Sequence, residues 1–359
     1  MLRFRIRQAA RLARDDVIAM PHAENRFPLF RTTLKPRALT ANGPYLHMTL
    51  ETLPILSLAD DEHRFATRIG ESFERYGFAM VRDHGLDAGI VAKSWDLTRA
   101  FFALPEETKR RYHSPGNAGA RGYTPFGLET AKGETMGDLK EFWHVGRDLP
   151  AGHPLLTPSM PANIWPDQPE DFAPCMRALF DEMDRIGRTI LSRIAIYLGL
   201  ASDWFDDVVA MGNSVLRLLH YPPVPASGQD AVRAAAHGDI NLITLLLGAE
   251  ESGLELLDRS GRWLPVAPPP GALVVNVGDM LERLTNHRLP STIHRVCNPS
   301  GPAAGRSRYS MPFFLHPRSD FMIATLPQCI SREQPDRYPE PITADAFLQQ
   351  RLQEIGLKS

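Results

Sequence analysis

The chain has 359 residues, 43% of them apolar and 23% charged, with a formal net charge of −2. That balance is ordinary for a globular protein with a sizeable core. It gives no reason to expect nucleic acid or an anionic membrane as a partner, and no apolar run approaches the length of a membrane span. Cys175, Cys297 and Cys329 stand far apart without a CxxC pair, which argues against a disulfide framework or a thiolate zinc site and for a reducing, cytoplasmic setting.

Residues 1–47 differ from the rest. They hold nine of the chain's 40 basic residues but three of its 42 acidic ones, and five arginines (Arg3, Arg5, Arg7, Arg11, Arg14) precede the first acid. An organelle transit peptide has that composition. The expectation adopted is instead a disordered basic extension, or sequence upstream of a start at Met48. An N-terminal α/β region is expected over 48–200, its folded part beginning at Leu53. Leu53-Pro54-Ile55-Leu56 suits a short strand. Asp60 and Asp61 can cap a helix whose apolar residues Phe65, Ile69 and Phe73 recur at helical spacing, with Gly77 ending it. Phe78-Ala79-Met80-Val81 reads as a strand and His84-Gly85 as a turn. A helix follows from Ile90 to Phe102, and a short one opens at Pro105 with Glu106 and Glu107. Residues 113–170, rich in glycine and proline, read as loop. A long helix from about Asp171 to Leu198 carries an apolar stripe from Met176 to Ile194.

After residue 200 the period changes. Val215–Tyr221, Asn241–Leu247, Gly253–Leu257, Trp263–Val266, Ala272–Val277, Ser291–Val296, Ser307–Leu315 and Met322–Thr325 are candidate strands. Asp258-Arg259-Ser260-Gly261 makes a hairpin turn. About eight short strands in roughly a hundred residues imply a double-sheet jelly roll, expected over 201–330. Residues 331–359 are expected to hold a closing helix.

Ala236-His237-Gly238-Asp239 carries the sharpest chemical signal. Residues two apart on a strand share a face, so His237 and Asp239 are expected to project together from one strand. With His294 as third ligand they make a two-histidine, one-carboxylate face that leaves the opposite side of a metal open, the arrangement of non-haem Fe(II) oxygenases. The same period sets Arg308 beside Ser310, and a guanidinium fork beside a hydroxyl suits a small carboxylate. A His-x-Asp pair alone is commonly a surface pair, and a lone strand arginine is usually a rim salt bridge. The combination is what points to a metal next to an oxo-acid. Zinc competes for the same donors, but it leaves the arginine and serine unexplained.

Over about Leu53 to Thr325 the chain resembles the isopenicillin N synthase-like Fe(II)/2-oxoglutarate-dependent oxygenases. The matching pieces are Leu53-Pro54-Ile55, Tyr76-Gly77-Phe78, Leu216 to Pro223, His237-Gly238-Asp239, Gly253-Leu254-Glu255-Leu256, Asn276-Val277-Gly278-Asp279, Thr285-Asn286-His287, Ser291 to Val296, and Arg308-Tyr309-Ser310. The resemblance implies a mainly β fold with flanking helices, a double-stranded β-helix core and an α-rich N-terminal region. It implies Fe(II) on His237, Asp239 and His294. It implies 2-oxoglutarate on Arg308 and Ser310, with Tyr221 as a further donor. O2 is then the oxidant, with ascorbate as a supporting reductant, and a small molecule is hydroxylated, desaturated or cyclised with release of succinate and CO2. The one departure is Leu219, where many relatives carry an asparagine.

Two other functions stay open at this level: a same-fold oxidase that uses no 2-oxoglutarate, and a non-catalytic jelly-roll binding protein. No obligate protein partner is evident. His220, His287 and His316 are expected to be hydrogen-bonded structural histidines, and Asp279 a turn residue. Arg121, Tyr123, Glu141, Trp143, His144 and Arg147 are candidates for the border of the site. Leu219, Leu245 and Phe313 are expected to wall it with apolar groups.

Overall fold

Short-range rules account for the helices. The computed structural model describes residues 52–115, 119–128, 140–223, 233–248, 253–298 and 305–354. β1 (Ile55–Ser57) leads into α1 (Glu62–Tyr76). The Asp61 carboxylate caps α1 by accepting from the N–H groups of His63 and Arg64, both at 3.1 Å. Gly77 ends it at φ 66°, a left-handed conformation that costs glycine nothing. β2 (Phe78–Arg82), α2 (Ala88–Phe102) and α3 (Glu106–Arg110) follow, with Asp87 accepting from the Ile90 N–H at 2.8 Å to cap α2.

Residues 113–170, expected to be loop, contain β3 (Gly122–Thr124) and β4 (Glu141–Gly146). β4 is buried on both faces, Glu141 included. It therefore lacks the polar–apolar alternation by which a strand is usually recognised. α4 (Phe172–Tyr197) and α5 (Asp206–Val209) complete the helical layer. The α4 stripe Met176, Leu179, Phe180, Met183, Ile186, Ile190 and Ile194 is fully buried.

The C-terminal half comprises β5 (Val215–Tyr221), β6 (Ala234–His237), β7 (Ile243–Leu247), β8 (Leu254–Leu257), β9 (Trp263–Pro265) and β10 (Leu273–Val277). There follow α6 (Asp279–Leu284), β11 (His294–Val296), β12 (Arg308–Leu315), β13 (Met322–Ile323), β14 (Ile342–Thr343) and α7 (Ala344–Glu354). One eight-stranded sheet runs β1-β2-β10-β7-β12-β5-β4-β3, and a four-stranded sheet runs β6-β11-β8-β9. β5 to β12 divide four and four between them, which is a jelly roll. Phe78, Met80 and Val274 of the large sheet pack against Leu254, Leu256 and Val296 of the small one.

Two strand expectations shift. The Met322 strand pairs with β14 outside the roll, and β6 supplies the eighth strand instead. The strand expected from Ser291 begins only at His294. The basic extension 1–47 lies outside the described residues. Among those described, no helix is long and apolar enough to cross a membrane.

The large sheet has a helix face and a cavity face. Phe313 meets Phe180 of α4 edge-on, ring centroids 5.0 Å apart. Leu245 and Leu315 crowd Gly187, where an added Cβ would lie 3.0 Å from the Leu315 Cδ2. Leu245 and Phe313 therefore face the helices and do not wall the site. By the two-residue period the alternate set Arg308, Ser310, Pro312 and Phe314 points the other way.

Candidate metal centre and its cavity

His237, Asp239 and His294 come together, each offering one ligand atom within 4.8 Å of the others. The antiparallel register of β11 with β6 sets His294 opposite His237, with ring centroids 4.5 Å apart. Phe78 braces His294 edge-on at 5.5 Å. The expectation that His237 and Asp239 share a strand fails. β6 ends at His237, and Asp239 lies beyond it, where its backbone carbonyl accepts from the Asp279 N–H at 2.7 Å.

Neighbouring groups aim all three donors. The Nδ1 of His237 lies 2.7 Å from the Ala235 carbonyl and that of His294 lies 3.2 Å from the Thr292 carbonyl. A carbonyl can only accept, so Nδ1 carries the proton and Nε2 keeps its lone pair for a metal. Thr244 donates to the Asp239 Oδ2 at 2.6 Å, and the Asn276 amide does so at 2.8 Å. Thr244 and Asn276 are cross-strand partners in the β7–β10 ladder. With Oδ2 taken, Oδ1 turns to the imidazoles, 3.9 Å from the His294 Nε2.

Protonation states match. Burial depresses His237, with the adjacent His294 adding to the effect, to a pKa of about 4. Its ring is open to the internal cavity but surrounded by protein, so it stays neutral, as a ligand must be. Burial alone would raise Asp239, but the two imidazoles and the Asn276 and Thr244 donors outweigh it and hold the carboxyl below its ordinary range. The donor set fits an octahedral metal with one face open.

The residues expected to seat an oxo-acid come together across β5 and β12. Arg308 pairs with Tyr221 across β12 and β5, and Ser310 pairs with Leu219. All three proposed contacts are buried. Arg308 Nη1 lies 3.5 Å from Ser310 Oγ, and its guanidinium carbon sits 5.2 Å from the Tyr221 ring centre. A buried guanidinium beside a hydroxyl is a fitting seat for the far carboxylate of a dicarboxylic oxo-acid. Leu219 packs with Phe142 and Tyr221 as an apolar floor, so nothing polar enters from that position.

A cavity of about 540 Å³ opens in front of the triad, lined among others by Arg121, Phe142, His144, Arg217, Phe314 and His316. Its far wall includes Leu348 and Leu352 of α7. An ion pair between Arg351 and Asp279, 2.7 Å apart, ties that helix down next to the triad.

Of the expected border residues, Arg121 and His144 line the cavity. Tyr123, Glu141 and Trp143 point to the opposite side. There the buried Glu141 carboxylate accepts from Lys109 at 2.7 Å and from Tyr123, and meets the His220 Nδ1 at 2.7 Å. Arg147 pairs with Asp184 at 2.9 Å. His220 and His287 are hydrogen-bonded structural groups, the latter 2.5 Å from the Tyr338 hydroxyl. His316 is not one of that kind. Its ring faces the cavity, and burial pushes its pKa down to about 4. Asp279 opens α6 and is more than a turn residue.

Sequence reasoning missed Thr244, Asn276, Arg217, Phe314 and His316. For three of them the signal was present: stepping by two from Tyr221 reaches Arg217, and stepping by two from Ser310 reaches Phe314 and His316.

Comparison with known proteins agrees with this geometry. Residues 53–168 match the family model described as the N-terminal region of the non-haem dioxygenase in morphine synthesis, and residues 212–317 match the 2OG-Fe(II) oxygenase superfamily. A 2-oxoglutarate-Fe(II) type oxidoreductase of Emericella nidulans is 33% identical over 291 residues, 79% of this chain and 82% of that one. A solved 2OG-Fe(II) oxygenase family protein from Caulobacter crescentus is 57% identical, with TM-score 0.78, over 84% of this chain and 99% of that one. A Neurospora crassa protein solved in complex with alpha-KG is 28% identical, with TM-score 0.73, over 84% and 96%. This chain belongs to the isopenicillin N synthase-like family of Fe(II)/2-oxoglutarate-dependent oxygenases.

Proposed function

We propose that His237, Asp239 and His294 hold the Fe(II) of this oxygenase, and that Arg308, Ser310 and Tyr221 seat the distal carboxylate of 2-oxoglutarate. The substrate is a small organic molecule occupying the adjoining cavity. The observation that carries this reading is the orientation of the Asp239 carboxylate. Thr244 and Asn276 occupy Oδ2 and present Oδ1 alone beside two imidazoles whose Nδ1 atoms face carbonyls.

O2 is the oxidant: bound iron would activate it, and 2-oxoglutarate would supply two electrons and take one of its oxygen atoms in leaving as succinate and CO2, the other serving substrate oxidation. The chain's own residues orient and exclude. Arg308 neutralises the far carboxylate and Ser310 fixes its rotation. Leu219, Phe142 and Tyr221, buried together, give that clamp an apolar floor. Phe314 and the α7 leucines close the substrate's side, and Thr244 and Asn276 keep Asp239 in one rotamer throughout turnover. The three free cysteines support a cytoplasmic location. That the proposed metal donors and the proposed oxo-acid seat lie on one chain supports action without an obligate protein partner.

The test is anaerobic addition of Fe(II) and then 2-oxoglutarate, followed by the visible charge-transfer band of the chelate. The band should appear in the native protein and vanish in His237→Ala. Iron binding without the band would instead indicate the oxidase that uses no 2-oxoglutarate. Absence of iron binding would remove the metal assignment.

A further inference from the structure

The His316 ring takes no part in holding the fold. Its backbone is fixed without the ring: the His316 N–H donates to the Ser214 hydroxyl at 3.2 Å, and its carbonyl closes on Gly212, where an added Cβ would stand 2.1 Å from that oxygen. The ring faces the cavity. Among the described residues, neither of its nitrogens has a hydrogen-bond partner, whereas His220 and His287 are both bonded through their rings. Neighbouring polar groups of the cavity wall are engaged with protein. Arg217 donates to His144 at 2.5 Å, its partner across the β4–β5 ladder, between the rings of Phe142 and Phe314. Arg121 donates to the Ala120 carbonyl at 2.7 Å and to Asn213 at 3.2 Å. The Thr124 hydroxyl also lacks a partner, but it is fully enclosed, while the His316 ring is open to the cavity.

Register places this ring at the metal end. β12 pairs with β7 so that Phe314 stands opposite Thr244, whose hydroxyl holds Asp239. His316 comes two residues later, just past the point where the Leu242 N–H donates to the Leu315 carbonyl at 3.1 Å. Burial keeps the imidazole neutral down to a pH of about 4, although the Asp239 carboxylate acts on the ring in the opposite sense. A neutral imidazole offers one N–H donor and one lone-pair acceptor. A hydroxyl can donate or accept, so it complements whichever nitrogen it meets. A ligand that displaced water from the ring without such a group would leave a buried polar atom unpaired. The rest of this wall is apolar, with Phe314, Leu348 and Leu352 facing the same space.

We propose that the primary substrate carries an uncharged hydroxyl that hydrogen-bonds to His316, with its apolar body lying along Phe314 and the α7 leucines. That bond fixes which carbon of the substrate faces the metal. This rests on the iron and 2-oxoglutarate assignment above and names the substrate class for that site.

The test is calorimetry under anaerobic conditions on protein loaded with Fe(II) and 2-oxoglutarate. Phenol, benzyl alcohol and 2-phenylethanol are each compared with the hydrocarbon in which methyl replaces hydroxyl: toluene, ethylbenzene and propylbenzene. The hydrocarbon corrects for any general change in the cavity, so the quantity read is the ratio of alcohol to hydrocarbon affinity. For at least one pair that ratio should fall roughly 10-fold in His316→Phe, the size of one buried hydrogen bond. His316→Gln, which keeps a donor and an acceptor, should retain part of it. The chelate band, read on the same samples, should persist in both variants, which also shows that they are folded. Failure of every alcohol to bind the native protein would overturn the proposal. So would ratios within about twofold of native in His316→Phe with the band intact, including the case in which alcohol and hydrocarbon weaken alike. A ratio that depends on His316 in a native protein lacking the band would support the hydroxyl site and sink the 2-oxoglutarate assignment instead.

Discussion

Thr244→Val probes the metal centre without touching a proposed ligand. The substitution keeps shape and replaces a hydroxyl by a methyl, removing the 2.6 Å bond to the Asp239 Oδ2 and leaving Asn276 as its remaining side-chain donor at 2.8 Å. A hydrogen bond to a charged group contributes about 1.5–3 kcal/mol, and 1.4 kcal/mol is a factor of ten. The expected loss of Fe(II) affinity is therefore roughly 10- to 100-fold, the range usual for groups that hold a metal ligand in place. Part of the cost comes from the rotamer: with one donor gone, the carboxylate can turn Oδ2 toward the metal or swing from it. The loss should also deepen at lower pH, because that donor is one of the groups holding the Asp239 carboxyl below its ordinary range. Anaerobic Fe(II) titration followed by the chelate band measures the affinity. Urea unfolding of the metal-free protein shows whether the fold is intact. An affinity within about twofold of native in a folded variant would refute the reasoning, since Oδ2 would then not need to be held.

Four further expectations rest on the same geometry. Arg308→Ala should raise the 2-oxoglutarate concentration needed for turnover by roughly 100-fold while leaving Fe(II) binding within a few-fold; an unchanged requirement would remove Arg308 from its role. Phe313→Ala should destabilise the fold by about 3–5 kcal/mol, since its ring fills the interface with Phe180. Phe314→Ala should cost less stability but uncouple 2-oxoglutarate consumption from substrate oxidation, and denaturant melts with succinate assays tell the two apart. Burial holds His237 and His316 at about 4, against about 6.5 when unfolded. Between those values the unfolded chain binds more protons, so the metal-free protein should lose stability as pH falls from about 6.5 to about 4. His316→Gln should flatten that slope, and an unaltered slope would contradict it.

The motifs visible in the chain are those whose partners lie close in sequence or follow the strand period. Asp61 and Gly77 mark the ends of α1 because caps are local hydrogen-bond and backbone effects. Arg308 and Ser310 share a face because a strand alternates. His237-x-Asp239 and His294 were legible as donors by residue type and family spacing. Which face each strand buries was not, and that is why Phe313 and Leu245 were expected at the site and proved to face α4. The period placed Phe313 and Phe314 on opposite faces, but only the packing of α4 decided which one met the helices.

By itself, then, the sequence marked the long helices α1, α2 and α4, the jelly-roll class and the residues here proposed as metal and oxo-acid donors, because these depend on local backbone preference and on side-chain chemistry. Tertiary structure decided the rest. It drew β3 and β4 out of an apparent loop, since β4 pairs with β5, more than sixty residues further along the chain, and packs on α4. It carried Asp239 off the end of β6 and turned it with Thr244 and Asn276, a contact made only once β7 and β10 are paired. It set His144 across from Arg217 between two phenylalanine rings. No short-range rule contains those relations, because each depends on segments whose separation in sequence only the closed sheets bring to a hydrogen-bond length.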